Sequence, residues 1–284
     1  MKIGALEINP GIMNGACSVA KTIDDVELLA KTSIGAITVG SITLEPRQGN
    51  PEPRWFDGKD YALNSFGMPN EGIEFYQENL PKMVELAHNN NKKLSLSVAG
   101  FSTAEYVTLT KLADDCQADL LELNLGCPNV SINGEQKPIA SFDSATIWEI
   151  IGAVGKVTSL PLMLKLSPYS NPAQLKHTAE IIVASQRVNA VVTSNTFPNS
   201  LMLRGGQPVL AAGFGGLSGP GFLPVALGQV QQFRQALPRD IAVIGVGGIE
   251  KKADVELYKQ AGADGVQVAT LIVRDGHSAI ERLV

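Results

Sequence analysis

Histidine and cysteine are both scarce, with three of each among 284 residues. His88 lies at a helix end, His177 within a helical pattern and His277 near the carboxyl terminus. None follows a strand, so a Cys–His pair of the protease type is not expected. Cys17, Cys116 and Cys127 are odd in number and lack metal-ligand spacing, which points to reduced thiols in a cytoplasm and to no metal centre. Positive charge is not clustered and the net charge is −5, so neither nucleic acid nor an anionic membrane is an expected partner. No apolar run approaches the roughly 20 residues of a membrane span, and no secretory signal opens the chain. The first strand-like segment begins near Asn9, so an amino-terminal membrane-binding extension is not expected. Apolar residues are plentiful at 44%, enough for a large core. Glycine is also abundant, and its 28 residues collect at particular places.

Short apolar runs alternate with amphipathic stretches. The strands are expected at Gly11–Gly15, Ala36–Gly40, Lys93–Ala99, Asp119–Leu125, Leu162–Leu166, Asn189–Ser194, Ile241–Val246 and Gly265–Ala269. Most are continuous rather than alternating, as suits parallel strands covered on both faces. Helical spacing predicts Asp24–Lys31, Leu80–Asn89, Thr103–Leu112, Ser144–Val157, Pro172–Ser185, Leu223–Leu237, Lys251–Ala261 and His277–Val284. The alternation reads as a (β/α)8 TIM barrel with long insertions in its βα loops, an open doubly wound sheet being the competitor. No repeat or linker divides the chain, so residues 1–284 are expected to form one domain. The two long connections, Ser41–Glu78 and Asn195–Pro220, would meet at the carboxyl ends of the strands, where barrels place their active sites.

The chemistry concentrates in Leu123-Asn124-Leu125-Gly126-Cys127-Pro128-Asn129-Val130. A strand ends at a thiol between two amides, and Pro128 stiffens the exit. Cys127 is therefore a candidate base or nucleophile, against the ordinary alternative of a small buried hydrophobe. Lys165 stands in an apolar strand and needs an anionic partner if it points inward; the alternative is an edge-exposed lysine. Asn64 and Asn195 add two amides to Asn124 and Asn129, a set suited to a flat polar heterocycle and poorly suited to a metal, although either could be a turn residue. Gly247 and Gly248 end the seventh strand, and Ala269 and Thr270 end the eighth. Backbone N–H groups in these loops commonly cradle a phosphate, and the cluster Gly213 to Gly219 could close over the same group. A tight turn is the plain alternative for Gly247-Gly248. Cys116 reads as structural.

These residues resemble the class 1 dihydroorotate dehydrogenases, a family of FMN-dependent barrels, over nearly the whole chain. The resemblance is carried by Thr43 to Arg54, Asn64 to Gly72, Leu123 to Val130, Lys165 to Tyr169, Gly215 to Gly219 and Gly245 to Ile249. It implies that Cys127 is the catalytic base, with Lys165 beside the flavin. It places Asn64, Phe66, Gly67, Met68, Asn124, Asn129, Asn195 and Thr196 around the substrate. The FMN site it implies takes in Asn14, Gly15, Ala16, Gly40, Ser41, Asn124, Lys165 and Gly219, with Gly247, Gly248, Ala269 and Thr270 at the phosphate. The implied activity is oxidation of dihydroorotate to orotate in pyrimidine biosynthesis by a homodimer. Fumarate is the implied acceptor, because Lys137-Pro138-Ile139 resembles the fumarate-using group. An NAD-using type with an iron–sulfur partner subunit stays open.

The chain departs from the family pattern in several places. Gly40 stands where members usually carry a Lys that bridges substrate carboxylate and flavin. Asn14-Gly15-Ala16-Cys17 replaces a usual Asn-Ala-Ser-Gly, and Ser131-Ile132-Asn133-Gly134-Glu135 is inserted before Lys137. The chain ends at Val284, earlier than most members, so a terminal helix is expected to be missing. Two alternatives follow from Gly40: a paralogous flavin oxidoreductase acting on another pyrimidine-like or enone substrate, or an FMN-binding protein that has lost turnover.

Overall fold

The computed structural model describes residues 1–132 and 135–284, with backbone alone over residues 131–132 and at 135. Eight parallel strands close into a barrel in chain order. They are β1 (Ile12–Asn14), β2 (Ala36–Ile42), β3 (Lys93–Val98), β4 (Leu120–Asn124), β5 (Leu162–Lys165), β6 (Ala190–Val192), β7 (Ala242–Val246) and β8 (Gly265–Val268). Closure through the β8–β1 pair, with Val266 opposite Ile12 and Val268 opposite Asn14, rules out an open sheet. The fold is a (β/α)8 barrel. All seven residues of β2 and all five of β4 are buried, which is why their sequences do not alternate.

The helices are α1 (Ile23–Ala30), α2 (Gly72–Asn89), α3 (Thr103–Asp115), α4 (Ser144–Val154), α5 (Pro172–Ser185), α6 (Leu223–Ala236), α7 (Lys252–Ala261) and α8 (Thr270–Asp275). Side chains set the starts of α1, α3, α4 and α5. Thr22 and Asp25 form a reciprocal capping box before α1, and Ser102, Asp143 and Asn171 accept from the first turns of α3, α4 and α5. One apolar core fills the ring between helices and barrel. A second fills the inside of the barrel at the strand starts, where Met13, Ala36, Leu120, Met163, Ala190 and Ala242 meet Ile3 and Ile8.

Four features depart from the sequence expectations. First, the chain opens with a hairpin, Lys2–Ile3 against Leu6–Glu7, ahead of the expected first strand. It delivers Ile3 and Ile8, both fully buried, to the amino-terminal end of the barrel. That burial contributes about 1.5–3 kcal/mol per side chain. Second, α2 begins eight residues before the expected Leu80 and carries Pro81 inside it. An interior proline costs about 3 kcal/mol, and the buried stripe Tyr76, Leu80, Met83, Val84 and Ala87 offsets it. Third, the last α-helix starts at Thr270, directly after β8. His277–Leu283, expected as an α-helix, is a 3₁₀ turn that buries Ala279, Ile280 and Leu283.

Fourth, the two long connections are not loops alone. Trp55–Asp57, Ala62–Asn64, Gly215–Ser218 and Phe197–Ser200 form one antiparallel sheet over the mouth. Gly216 lies opposite Asn64 and Ser218 opposite Ala62, so the connection after β2 is tied to the one after β6. Of the insertion after Val130, Asn133 and Gly134 lie outside the described residues, while Ser131–Ile132 pairs with Glu135–Gln136.

Candidate active site

A cavity of about 1060 Å³, counted out to its solvent-open mouth, sits at the carboxyl ends of the strands. Its floor comes from the strand ends, at Gly40, Asn124, Lys165, Ser194, Val246 and Gln267. Its wall is the sheet that joins the two long connections, at Trp55, Asn64 and Ser218.

The amides hold one another in two pairs. Asn129 Nδ2 donates to the carbonyl of Asn64 at 2.9 Å and to its Oδ1 at 3.0 Å. Asn195 Nδ2 donates to Asn124 Oδ1 at 3.3 Å, and Asn195 Oδ1 accepts from the Thr196 N–H at 2.8 Å. Asn124 Nδ2 in turn donates to Ser41 Oγ at 2.7 Å. The Phe66–Met68 segment is held from outside, where Arg47 Nε donates to the Gly67 carbonyl at 3.2 Å. Asn50 Nδ2 bridges the Ser65 and Asn129 carbonyls at 2.8 and 3.0 Å. The Thr43–Arg54 stretch therefore acts by positioning its neighbours.

A buried chain of hydrogen bonds runs beneath the floor. Gln267 Nε2 and Ser97 Oγ donate to Glu122 at 2.8 and 2.7 Å, and Ser97 Oγ lies 2.9 Å from Ser41 Oγ. Glu122 is fully buried on β4 and both its oxygens are used. The chain ends at Asn124 through Ser41 and fixes the orientation of that amide.

Cys127 lines the cavity on the turn after β4, half-buried. Burial pushes its thiol pKa up; the Asn129 N–H and the charges of Lys165, Lys137 and Arg47 oppose that rise. Lys137 is itself pushed down by burial. Its Nζ donates to the Gly100 carbonyl at 2.8 Å and lies 4.7 Å from the Phe101 ring centre. Lys165 ends β5 opposite Asn124 and Val192. It is 5% exposed and makes no salt bridge among the described residues. The edge-exposed alternative does not hold.

At the far end Gly247, Gly248, Ala269 and Thr270 line the cavity. Gly247 and Gly248 have φ of +122° and +71°, and a Cβ on either would lie 2.6 Å from Phe222 or 2.8 Å from Leu223. Only glycine fits there without strain. Thr196 Oγ1 and Gln267 Oε1 are buried with no partner, and both residues line the cavity.

Most of the expected site residues therefore share one cavity: Cys127 and Lys165; Asn64, Phe66, Gly67, Met68, Asn124, Asn129, Asn195 and Thr196; and Ala16, Gly40, Ser41, Gly247, Gly248, Ala269 and Thr270. Three expected cofactor residues stand apart from its surface. Asn14 is fully buried, with its amide bridging the Thr38 N–H and carbonyl at 2.8 Å each. The Gly15 N–H donates to the Val268 carbonyl at 2.8 Å. Gly219 packs behind Gly248, its carbonyl 3.0 Å from where a Gly248 Cβ would sit. All three shape the cavity from behind. The histidines lie elsewhere: His88 pairs with Asp119 at 2.7 Å, His177 faces Glu180 at 3.6 Å, and His277 lies 2.9 Å from the Val19 carbonyl. Cys116 is packed in the outer core.

Other lining residues carry no sequence signal of this kind: Cys17, Lys21, Trp55 and Gln267. Glu122, buried beneath them, interrupts an apolar strand just as Lys165 does, and that anomaly would have singled it out. Lys21 reads in sequence as the polar residue before a helix cap.

Fold and site together define a (β/α)8-barrel enzyme with a cation-lined cleft at the carboxyl ends of its strands. The family model described as dihydroorotate dehydrogenase matches residues 2–284. A dihydroorotate dehydrogenase (fumarate) of Trypanosoma cruzi is 34% identical over 282 residues, covering 97% of this chain and 87% of the relative. The catalytic subunit of a dihydroorotate dehydrogenase B (NAD(+)) of Alkaliphilus oremlandii is 31% identical over 282 residues, covering 99% and 90%. The crystal structure of an Eimeria tenella DHODH in complex with ferulenol superposes with a TM-score of 0.83, covering 99% of this chain and 81% of that one. At 20% identity it speaks for the fold alone. The chain belongs to the dihydroorotate dehydrogenase family. It is an oxidoreductase acting on a CH–CH bond, with a flavin cofactor.

Proposed function

We propose that residues 1–284 act as one FMN-binding barrel that oxidises dihydroorotate to orotate in pyrimidine biosynthesis. The observation that carries this reading is the convergence of Cys127, two amide pairs and Lys165 on one cavity. The residues present fit a phosphorylated flavin. The cavity is lined by apolar side chains together with a few convergent polar ones, as a ring-bearing ligand requires. Its Gly247–Gly248 end leaves no room for side chains, two buried acceptor-bearing groups lack partners, and the buried Lys165 on its floor is a cation without a salt-bridge partner among the described residues.

Bound FMN supplies the hydride acceptor for C6 of the dihydropyrimidine. Cys127, as thiolate, takes the C5 proton and becomes the thiol, so proton and hydride leave adjacent carbons and a C=C bond forms. Lys165 holds positive charge beside the cofactor ring. Asn64 and Asn129, already locked together, present the remaining lone pairs and N–H groups of their amides to the ring of the substrate. Asn124 and Asn195 do the same from the floor. The mouth sheet and the Phe66–Met68 segment limit water at the reacting carbons.

Fumarate is the acceptor we infer for reoxidation, supported by the relative named for that acceptor. The relative named for NAD(+) defines the competing outcome. We infer a homodimer of cytoplasmic location on the same family grounds. Under anaerobic conditions the yellow protein should bleach on addition of dihydroorotate and recover with fumarate. Flavin that stays oxidised would eliminate the dihydroorotate reading. Recovery only through an added iron–sulfur subunit and NAD(+) would replace the acceptor alone. Gly40 favours a second reading, reduction of a neutral pyrimidine-like or enone compound, which predicts reoxidation by neutral acceptors but not by orotate or fumarate.

A further inference from the structure

The cavity is lined by two charged side chains among the described residues, Lys21 and Lys165, and by no carboxylate. Lys165 projects from the end of β5. Lys21 comes from the connection between β1 and α1, just before the Thr22 cap. Its Nζ donates to the Pro69 carbonyl, at the end of the Phe66–Met68 segment. An ammonium has three N–H donors, and among the described residues Lys21 makes no salt bridge and no second side-chain hydrogen bond. Of the two acids that follow it, Asp24 is exposed and Asp25 is engaged by the Lys21 and Thr22 N–H groups at 3.0 Å each. A half-buried ammonium with unused donors at a cavity wall calls for an anion there.

Position 40 cannot supply that charge. Gly40 has φ of +116°, and a Cβ there would lie 2.4 Å from the Ser97 carbonyl oxygen and 2.8 Å from the Ile42 nitrogen. Restoring a lysine would require the end of β2 to be rebuilt. Lys21 reaches the same cavity from the neighbouring barrel position, since β1 pairs with β2.

We propose that Lys21 is the substrate-anchoring cation of this pocket, holding the carboxylate of an acidic ring substrate against the Phe66–Pro69 segment in place of the charge that position 40 lacks. The inference rests on reading the cavity as the substrate site. It makes the substrate an acid despite Gly40 and separates the dihydroorotate reading from that of a neutral pyrimidine or enone.

Binding to the oxidised yellow holoenzyme, followed by the perturbation of flavin absorbance, tests this with matched acid and neutral pairs: orotate and uracil, nicotinate and nicotinamide, picolinate and picolinamide. Wild type should prefer the acids. Lys21→Met should weaken acid binding by about 30-fold, the loss expected for one charge-assisted hydrogen bond, and leave the neutral partners and flavin content unchanged. Lys21→Arg should retain most of the preference for acids. Unchanged acid affinity in Lys21→Met overturns the inference. So does joint loss of acids, neutral ligands and flavin in both Lys21→Met and Lys21→Gln, which would make Lys21 a structural tie to Pro69. If dihydroorotate does not reduce the flavin, the reaction assignment fails by itself. The pairs still decide for Lys21, because a wild type that prefers no acid overturns its role and an acid preference lost in Lys21→Met sustains it.

Discussion

Cys127 lies where a base is needed, with its thiol pKa above the ordinary value because burial outweighs the three nearby cations. At neutral pH the free protein therefore holds the thiol, and the reactive thiolate is a minor form. The base works deprotonated, so flavin reduction should speed up about tenfold per pH unit from neutrality until the thiol titrates above its ordinary range. Anaerobic stopped-flow reduction across that range reads the slope. Cys127→Ser should slow reduction at neutral pH by at least ~100-fold; a rate near wild type would remove Cys127 from the proton transfer. Lys21 titrates in the opposite sense. Burial pushes its pKa down to about 8, with Cys17, Asp25 and Glu71 raising it and Arg54 lowering it. Cys17 is itself pushed up by burial. The ammonium is present below about pH 8 and lost above it, so orotate affinity should fall as pH rises through that value. Uracil affinity should not, and a flat orotate profile would contradict the assignment.

Among the elements, the amino-terminal hairpin and the end of β2 carry most consequence. The hairpin closes the barrel interior opposite the cavity with Ile3 and Ile8. Ile8→Ala should cost about 2–5 kcal/mol in denaturant unfolding, without altering the affinity of the folded protein for orotate. At β2, Gly40→Lys should lower stability and flavin content together, because the new Cβ meets the Ser97 carbonyl at 2.4 Å. A well-folded, fully loaded Gly40→Lys protein would show that the strand end can be rebuilt. Barrel strand positions were legible from sequence because strands covered on both faces are apolar throughout. The start of α2 was not, since Pro81 is a local signal against a helix that only the buried stripe from Tyr76 to Ala87 overrides. The mouth sheet was also hidden. Its strands are three or four residues long, and the pairing that joins its two halves, Asn64 with Gly216, spans some 150 positions of sequence.

At the scale of the whole molecule, binding a cofactor in this cavity should stabilise the fold by mass action. At 100 times its dissociation constant, FMN should add about 2.7 kcal/mol. Stripping the flavin should lower the melting temperature, and added FMN should restore it; an unchanged temperature would argue against this cavity as the flavin site. The order of amino acids alone marked the barrel strands, the thiol and amides at the end of β4, Lys165 as a charge in an apolar strand, and the glycines after β7. Each of these depends on a residue type meeting a strand end, which is local information. Only the tertiary structure decided that Asn14, Gly15 and Gly219 support the cavity from behind. Only it showed that Glu122 orients Asn124 through Ser97 and Ser41, and that Lys21 shares the cavity with Gly40. Those relations join residues far apart in the chain, and no local pattern encodes them because the barrel's closure alone brings their strand ends together.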